Sequence, residues 1–72
     1  MNDIFKVQVG GNHYAHLEIQ PTFFCYKNKL DVLESNIIKY VCRHKRAEGI
    51  EDIKKLIHYA QMILELEYGV KS

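Results

Sequence analysis

Apolar positions recur at helical spacing through the second half of the chain. Between Ile50 and Tyr68 they follow a near-heptad order, at Ile53, Leu56, Ile57, Ala60, Ile63 and Leu64. Gly69 follows as a suitable C-terminal stop. The pattern predicts a helix of about 19 residues, roughly 28 Å long at 1.5 Å per residue. Because this stripe is long for a small core, we expect part of it to pack on another copy of the chain.

A shorter apolar stripe predicts a second helix before the break at residues 47–49. Its inner side chains are Leu33, Ile37, Tyr40 and Val41. Ser35 or Asn36 can cap the start of this helix, since both side chains accept hydrogen bonds from free backbone amides.

The first third of the chain is turn-rich. Residues 6–9 alternate in polarity and predict a brief extended segment before the loop that begins with Gly10 and Gly11. Pro21 fits the first turn of a short helix. We therefore predict a mainly α fold in which an extended N-terminal segment and a Gly-rich loop precede about three helices. The prediction is one domain over residues 1–72, completed by oligomerisation.

Composition narrows the functional classes. Ten Lys and Arg face nine Asp and Glu, giving a formal net charge of +1. Such a balance disfavours binding of nucleic acid through a global basic field. The two cysteines have no CxxC spacing, which argues against a disulfide scaffold or a zinc knuckle. No segment approaches the ~20 apolar residues of a membrane span, and no signal peptide is visible at the start, so we expect an intracellular protein.

One row of polar side chains points to a specific ligand. Asn36, Lys39, Arg43 and Arg46 are spaced by three or four residues and would stack along one side of a helix. Three cations and an amide would then converge on an anion, most plausibly a phosphate. The alternative is an ordinary solvated basic face.

Asp52, Lys55 and Tyr59 share a face of the long predicted helix. Lys55 and Tyr59 could line the same pocket as the basic row, with the phenol stacking on a base. Asp52 has an alternative role as favourable charge at a helix N-terminus.

The loop Gly11, Asn12, His13 and Tyr14 is a second candidate contact. Glycine permits close approach of the backbone to a ligand, and His13 and Tyr14 could cover a base or donate to a phosphate oxygen. Alternatively Tyr14 anchors the loop on the core and His13 is exposed. Neither a GxxxxGK[ST] phosphate loop nor a GxGxxG turn is present, and the histidines lack metal-binding spacing. We therefore expect no metal site and no cysteine nucleophile.

Several blocks match one family pattern in their order along the chain. They are Gly10-Gly11-Asn12-His13-Tyr14, Ile19-Gln20-Pro21, Asn36 to Arg43, Gly49 to Lys55, and His58-Tyr59. Together they resemble a small phage-encoded domain family of unknown function that also occurs in the nucleotide kinase of a T-odd coliphage. The resemblance spans about residues 8–64. It departs at Ser35, where the family tends to have glycine.

The resemblance implies a nucleotide ligand and a location in the cytoplasm of the infected bacterial host. In the leading hypothesis the protein binds and sequesters a phosphorylated nucleotide, including a cyclic or signalling nucleotide of host defence. Arg43, Lys39 and Lys55 would neutralise phosphate, and Asn36 would hydrogen-bond the phosphate or sugar. The base would be contacted by His13, Tyr14, Tyr40 or Tyr59.

Two alternatives belong to other functional classes. A nucleotide kinase would transfer phosphate to a nucleoside monophosphate, with Asp52, and Glu48 or Glu51 nearby, as the carboxylate source for Mg²⁺. A protein interaction module would inhibit a host enzyme through the long helix. No cofactor is expected in the leading hypothesis, and binding of double-stranded DNA is disfavoured.

Overall fold

The computed structural model describes residues 14–71, and this part of the chain is helical. Helix α1 spans Pro21–Lys27, α2 spans Val32–Arg43 and α3 spans Ile50–Tyr68, with a 3₁₀ turn at His44–Arg46 between α2 and α3. The mainly α prediction is therefore confirmed for residues 14–71, which contain no strand. The predicted extended segment and most of the Gly-rich loop lie outside the described residues.

Helix α1 begins at the proline, as predicted. Gln20 precedes it in an extended conformation, and Pro21 occupies the first turn, where its missing N–H costs no hydrogen bond. The buried Gln20 amide donates to the carbonyl oxygens of Tyr14 at 3.0 Å and Leu17 at 3.3 Å. It thereby attaches the turn at residues 14–17 to the start of α1.

The prediction that Ser35 or Asn36 caps α2 is wrong. Asp31 caps the helix: its carboxylate accepts from the Glu34 amide at 2.9 Å, and the Glu34 side chain accepts from the Asp31 amide at 3.0 Å. This reciprocal pair is a capping box, with an acidic cap three residues before a glutamate. Because it starts the helix at Val32, Ser35 and Asn36 lie within the first turns.

Helix α3 has the predicted bounds. Gly49 precedes it at φ 50° and ψ −112°, a conformation that favours glycine. Gly69 ends it at φ 69°, donating its amide to the Glu65 carbonyl at 3.1 Å. Val70 donates to the Leu64 carbonyl at 3.0 Å, which completes a left-handed C-terminal cap. None of the helices in the described residues is long and apolar enough to cross a membrane.

Apolar burial within residues 14–71 is slight. Pro21 and Cys25 are the buried apolar residues, while the stripes of α2 and α3 are at best half-buried. On these stripes Ile57 and Leu64 remain 48% and 43% exposed. The largest fully buried side chain is instead a carboxylate, Asp52, at 0% exposure. Polar contacts must therefore contribute to positioning the helices.

The Asp31 cap gives a direct test of how α2 begins. Replacing Asp31 with Ala removes the acceptor for the Glu34 amide and should lower the free energy of unfolding by about 1 kcal/mol. Urea denaturation followed by circular dichroism measures the change. Asp31→Asn keeps an acceptor and should retain most of the stability. Equal stability of the Ala variant and the wild type would contradict the assigned cap.

Candidate functional site

A buried ion pair joins the end of α2 to the start of α3. Arg43 Nε donates to Asp52 Oδ2 at 3.1 Å, and the same oxygen accepts from the backbone amide of Glu48 at 3.2 Å. The Arg43 side chain is 17% exposed and that of Asp52 is 0% exposed. The pair therefore closes the turn between the two helices. Asp52 also satisfies a backbone amide beside the α3 N-terminus, which agrees with its alternative role there.

Glu48 brings a second carboxylate to the guanidinium. Arg43 Nη2 donates to Glu48 Oε1 at 3.2 Å, and Lys55 Nζ lies 3.9 Å from the same oxygen. Because the Glu48 side chain is 55% exposed, these contacts are solvent-screened and weaker than the Asp52 contact. Arg43 is thus held firmly on one side and loosely on the other.

Tyr14 also belongs to this group. Burial lowers the pKa of Arg43, but hydrogen bonds that its guanidinium makes with the Tyr14 and Asp52 side chains outweigh that effect and raise the pKa overall. The guanidinium is therefore fully charged at neutral pH. Through Arg43, the turn at residues 14–17 is connected to both long helices.

Asp52 carries an unsatisfied oxygen. Within the described part of the chain, Oδ1 is buried and accepts no hydrogen bond. A buried acceptor without a partner costs about 1–3 kcal/mol. Attraction to Arg43 at Oδ2 offsets this cost, so the carboxylate depends on its cation.

Two tyrosines complete the group. The rings of Tyr40 and Tyr59 stack with centroids 6.0 Å apart and planes inclined by 12°. Lys55 Nζ lies 5.3 Å and Arg43 Cζ 5.5 Å from the centroid of the Tyr40 ring. Both distances are within the range of cation–π attraction. We call this group the aromatic–cation cluster; its members are Tyr14, Tyr40, Arg43, Glu48, Asp52, Lys55 and Tyr59.

The cluster includes six of the residues predicted from sequence, and Glu48 is an additional member. Lys39, one helical turn before Arg43 on α2, also lines a groove shared with α1 residues such as Cys25 and Tyr26. Asn36 is half-buried one helical turn before Tyr40. Gly11, Asn12 and His13 lie outside the described residues.

The predicted row does not continue to Arg46. Helix α2 ends at Arg43, and the following 3₁₀ turn changes the direction of the next side chains. Arg46 lines a separate concave surface of about 510 Å³, here called the basic groove, with His16, Val41, Cys42, His44 and Lys45. In the sequence, this surface corresponds to three consecutive basic residues, His44, Lys45 and Arg46. Of these three, the predicted phosphate-binding row contains Arg46 alone.

Both cysteines are free thiols. Burial raises the pKa of the Cys42 thiol, and the nearby Cys25 raises it further, so Cys42 is a weak nucleophile at neutral pH. No group of three or more His, Cys, Asp or Glu side chains among the described residues could hold a metal ion.

Comparison with protein families gives one match. A model of the family described as a protein of unknown function, DUF3310, matches residues 9–61. The chain belongs to the DUF3310 family. The DUF3310 segment includes every residue of the aromatic–cation cluster and all of the basic groove. No curated protein and no solved structure gives a significant match.

The coupling between Arg43 and Asp52 can be measured by a double-mutant cycle. Arg43→Met or Asp52→Leu alone leaves a buried charge without its partner and should destabilise the fold by about 3–5 kcal/mol. The double variant should be at least about 1 kcal/mol more stable than the sum of the two losses predicts. Denaturation of all four proteins gives the coupling energy.

Lys54→Met is the control for loss of a cation, because its contact with Glu51, at 3.8 Å, is solvent-exposed. It should change stability by less than about 1 kcal/mol. If a single variant does not fold, Arg43→Lys provides a milder loss, since lysine keeps the charge but not the planar fork. Strictly additive losses would contradict the assigned pair.

Proposed function

We propose that this protein is a phage nucleotide-binding protein that binds and sequesters a phosphorylated nucleotide. The observation that carries the proposal is the aromatic–cation cluster, in which Tyr40 and Tyr59 stack beside the positive charges of Lys55 and Arg43. Aromatic faces suit a nucleobase, and the cations suit its phosphate. A solvated basic face would not require this pairing of stacked rings with converging cations.

Lys55 is the proposed phosphate contact of the cluster. Its side chain is 43% exposed, and its 3.9 Å contact with Glu48 is loose enough for an anion to replace. Arg43 is held in place by Asp52, so its positive charge stays at a fixed position in the cluster. A phosphate that reaches Arg43 would displace Glu48 and leave the Asp52 contact intact.

The remaining contacts extend the proposal beyond the cluster. Asn36 would hydrogen-bond the sugar or phosphate from the neighbouring turn of α2. Gly11, Asn12 and His13 would cover the base from the segment that leads into Tyr14. Lys39, one helical turn before Arg43 and also lining the groove beside α1, would supply a further positive charge to the phosphate.

Sequestration is a better proposal than kinase activity because of Asp52. Phosphoryl transfer usually needs carboxylates that hold Mg²⁺ against the phosphates. Asp52 is fully buried and paired with Arg43, so it presents no carboxylate to a ligand in this arrangement. The exposed carboxylate of the cluster, Glu48, contacts Arg43 and Lys55. Tight binding without chemistry needs only the stacked rings and the cations.

Replacement of Lys55 tests the nucleotide site. Lys55→Ala should weaken binding of a nucleotide at least tenfold in calorimetric titrations with nucleoside mono- and triphosphates and cyclic nucleotides, because a phosphate contact is lost. Lys54→Ala is the matched control: it removes the adjacent, more exposed lysine of the same helix and should change affinity less than twofold. Equal losses in the two variants would reject the site.

Recovery of the nucleotide separates sequestration from transfer. The protein is incubated with the same nucleotides and Mg²⁺, and the small molecules are chromatographed before and after heat denaturation. A sequestering protein removes a nucleotide and releases it unchanged on heating. Appearance of a diphosphate with turnover would replace sequestration by kinase activity.

A second candidate, a protein interaction module, is favoured by the exposed end of α3. Leu66 and Tyr68 are 75% and 73% exposed, and Val70 beyond the helix is 49% exposed. Apolar side chains in this number at one end of a helix are typical of docking surfaces. Their occupant in our proposal is a second copy of the chain, because the described residues bury so little apolar surface of their own.

Sedimentation measures this self-association. The wild type should sediment as a dimer or a larger oligomer, and Leu66→Glu should shift it toward the monomer by placing a charge in the apolar contact. Because Leu66 is largely exposed, the substitution should leave the helical circular dichroism spectrum unchanged. A monomeric wild type would contradict self-association.

A further inference from the structure

The basic groove brings together histidine, lysine and arginine side chains from two separate segments. His16 comes from the turn before α1, whereas His44, Lys45 and Arg46 come from the 3₁₀ turn after α2. Val41 and Cys42, near the end of α2, form its apolar part. Among residues 14–71, no carboxylate lines this surface, so none of them compensates the charges of Lys45 and Arg46 within it.

This surface differs in charge from the aromatic–cation cluster. Arg43 and Lys55 each contact at least one carboxylate, but within residues 14–71 neither Lys45 nor Arg46 forms an ion pair. Uncompensated cations around a concavity focus a positive potential there. The basic groove is therefore the more available of the two positive surfaces for an incoming anion.

Backbone hydrogen bonds hold the 3₁₀ turn in place. The His44 amide donates to the Tyr40 carbonyl, and the His44 carbonyl accepts from the Gly49 amide at 3.0 Å. These two bonds hold the turn against the end of α2 and the start of α3. The three consecutive basic residues are thus presented on a fixed support.

We propose that the basic groove is a binding site for the phosphate groups of a small phosphorylated ligand. Arg46 would contact two phosphate oxygens through its planar guanidinium, Lys45 would act as a point charge, and the imidazoles of His16 and His44 would donate hydrogen bonds. The proposal is separate from the aromatic–cation cluster and does not require that the same ligand occupy both.

The dimensions and the charge of the chain favour a small ligand over a nucleic acid. A concavity of about 510 Å³ is within the range of small-molecule sites, about 300–1,000 Å³. The chain has a formal net charge of only +1, whereas surfaces that follow a nucleic-acid backbone are usually part of a strongly basic domain. A compact polyphosphate matches a short, concentrated group of cations.

Inorganic triphosphate is the probe for this site, because it contains phosphate without a base or sugar. Calorimetric titration should detect binding to the wild type, and the double variant Lys45→Ala/Arg46→Ala should bind at least tenfold more weakly. The matched control is Lys54→Ala/Lys71→Ala, which removes two exposed lysines outside the groove and changes the net charge equally. The control should bind within twofold of the wild type.

His44→Ala gives an independent readout, since it removes the imidazole hydrogen-bond donor without changing Lys45 or Arg46. It should weaken triphosphate binding by at least threefold. Circular dichroism must show the same helix content in every variant, and if the Lys45/Arg46 variant is unfolded, the single variant Arg46→Gln takes its place with the same expectation.

Three outcomes would overturn the proposal. They are no binding of triphosphate by the wild type, equal losses in the groove variant and the charge-matched control, or tighter binding of a single-stranded oligonucleotide than of triphosphate. Failure here is distinguishable from failure of the proposed nucleotide site, because that site is tested with nucleotides and Lys55→Ala. Each result therefore applies to one surface only.

Discussion

The contact between Arg43 and Asp52 is the interaction on which the arrangement of the two long helices depends. Residues 14–71 bury so few apolar side chains of their own that core packing among them cannot alone orient α2 against α3. The carboxylate of Asp52 binds the end of one helix through Arg43 and the backbone before the next through the Glu48 amide. Loss of either charge would leave the other buried, so the contact specifies the turn more than it adds net stability.

This constraint also changes how the basic residues are interpreted. An arginine on a helix surface would be a mobile phosphate ligand, but Arg43 is fixed by a buried partner and lies over the Tyr40 ring. The same fixed guanidinium helps to position the stacked pair of Tyr40 and Tyr59. The residues that stabilise the fold are therefore also residues of the candidate site. Of its two cations, Lys55 is more adaptable than Arg43.

The local features of the fold were predictable from sequence. Pro21 and Gly69 act through their own backbone geometry, and the period of the α3 stripe depends only on spacing, so each was recognisable without tertiary information. The start of α2 is also encoded locally, by the Asp31–Glu34 pair. The predicted caps, Ser35 and Asn36, instead lie within the helix. Both boundaries of α3 were correctly placed because a glycine with positive φ lies at each end.

The candidate site was predictable only in part. Arg43 and Asp52 are nine positions apart, and no helical period relates residues on opposite sides of a turn. The predicted row of basic residues required one continuous helix. The helix instead ends at Arg43, and after the 3₁₀ turn the Arg46 side chain lines the basic groove.

The proposed binding of a nucleotide at the aromatic–cation cluster can be tested directly. The most direct measurement is an NMR titration of isotope-labelled protein with nucleoside mono- and triphosphates and cyclic nucleotides, following the assigned signals of Tyr40, Tyr59 and Lys55. Our account predicts that a binding nucleotide shifts the two ring signals and the Lys55 side-chain signal together in a saturable manner. Shifts confined to the exposed apolar end of α3, or no shifts with any nucleotide, would contradict it.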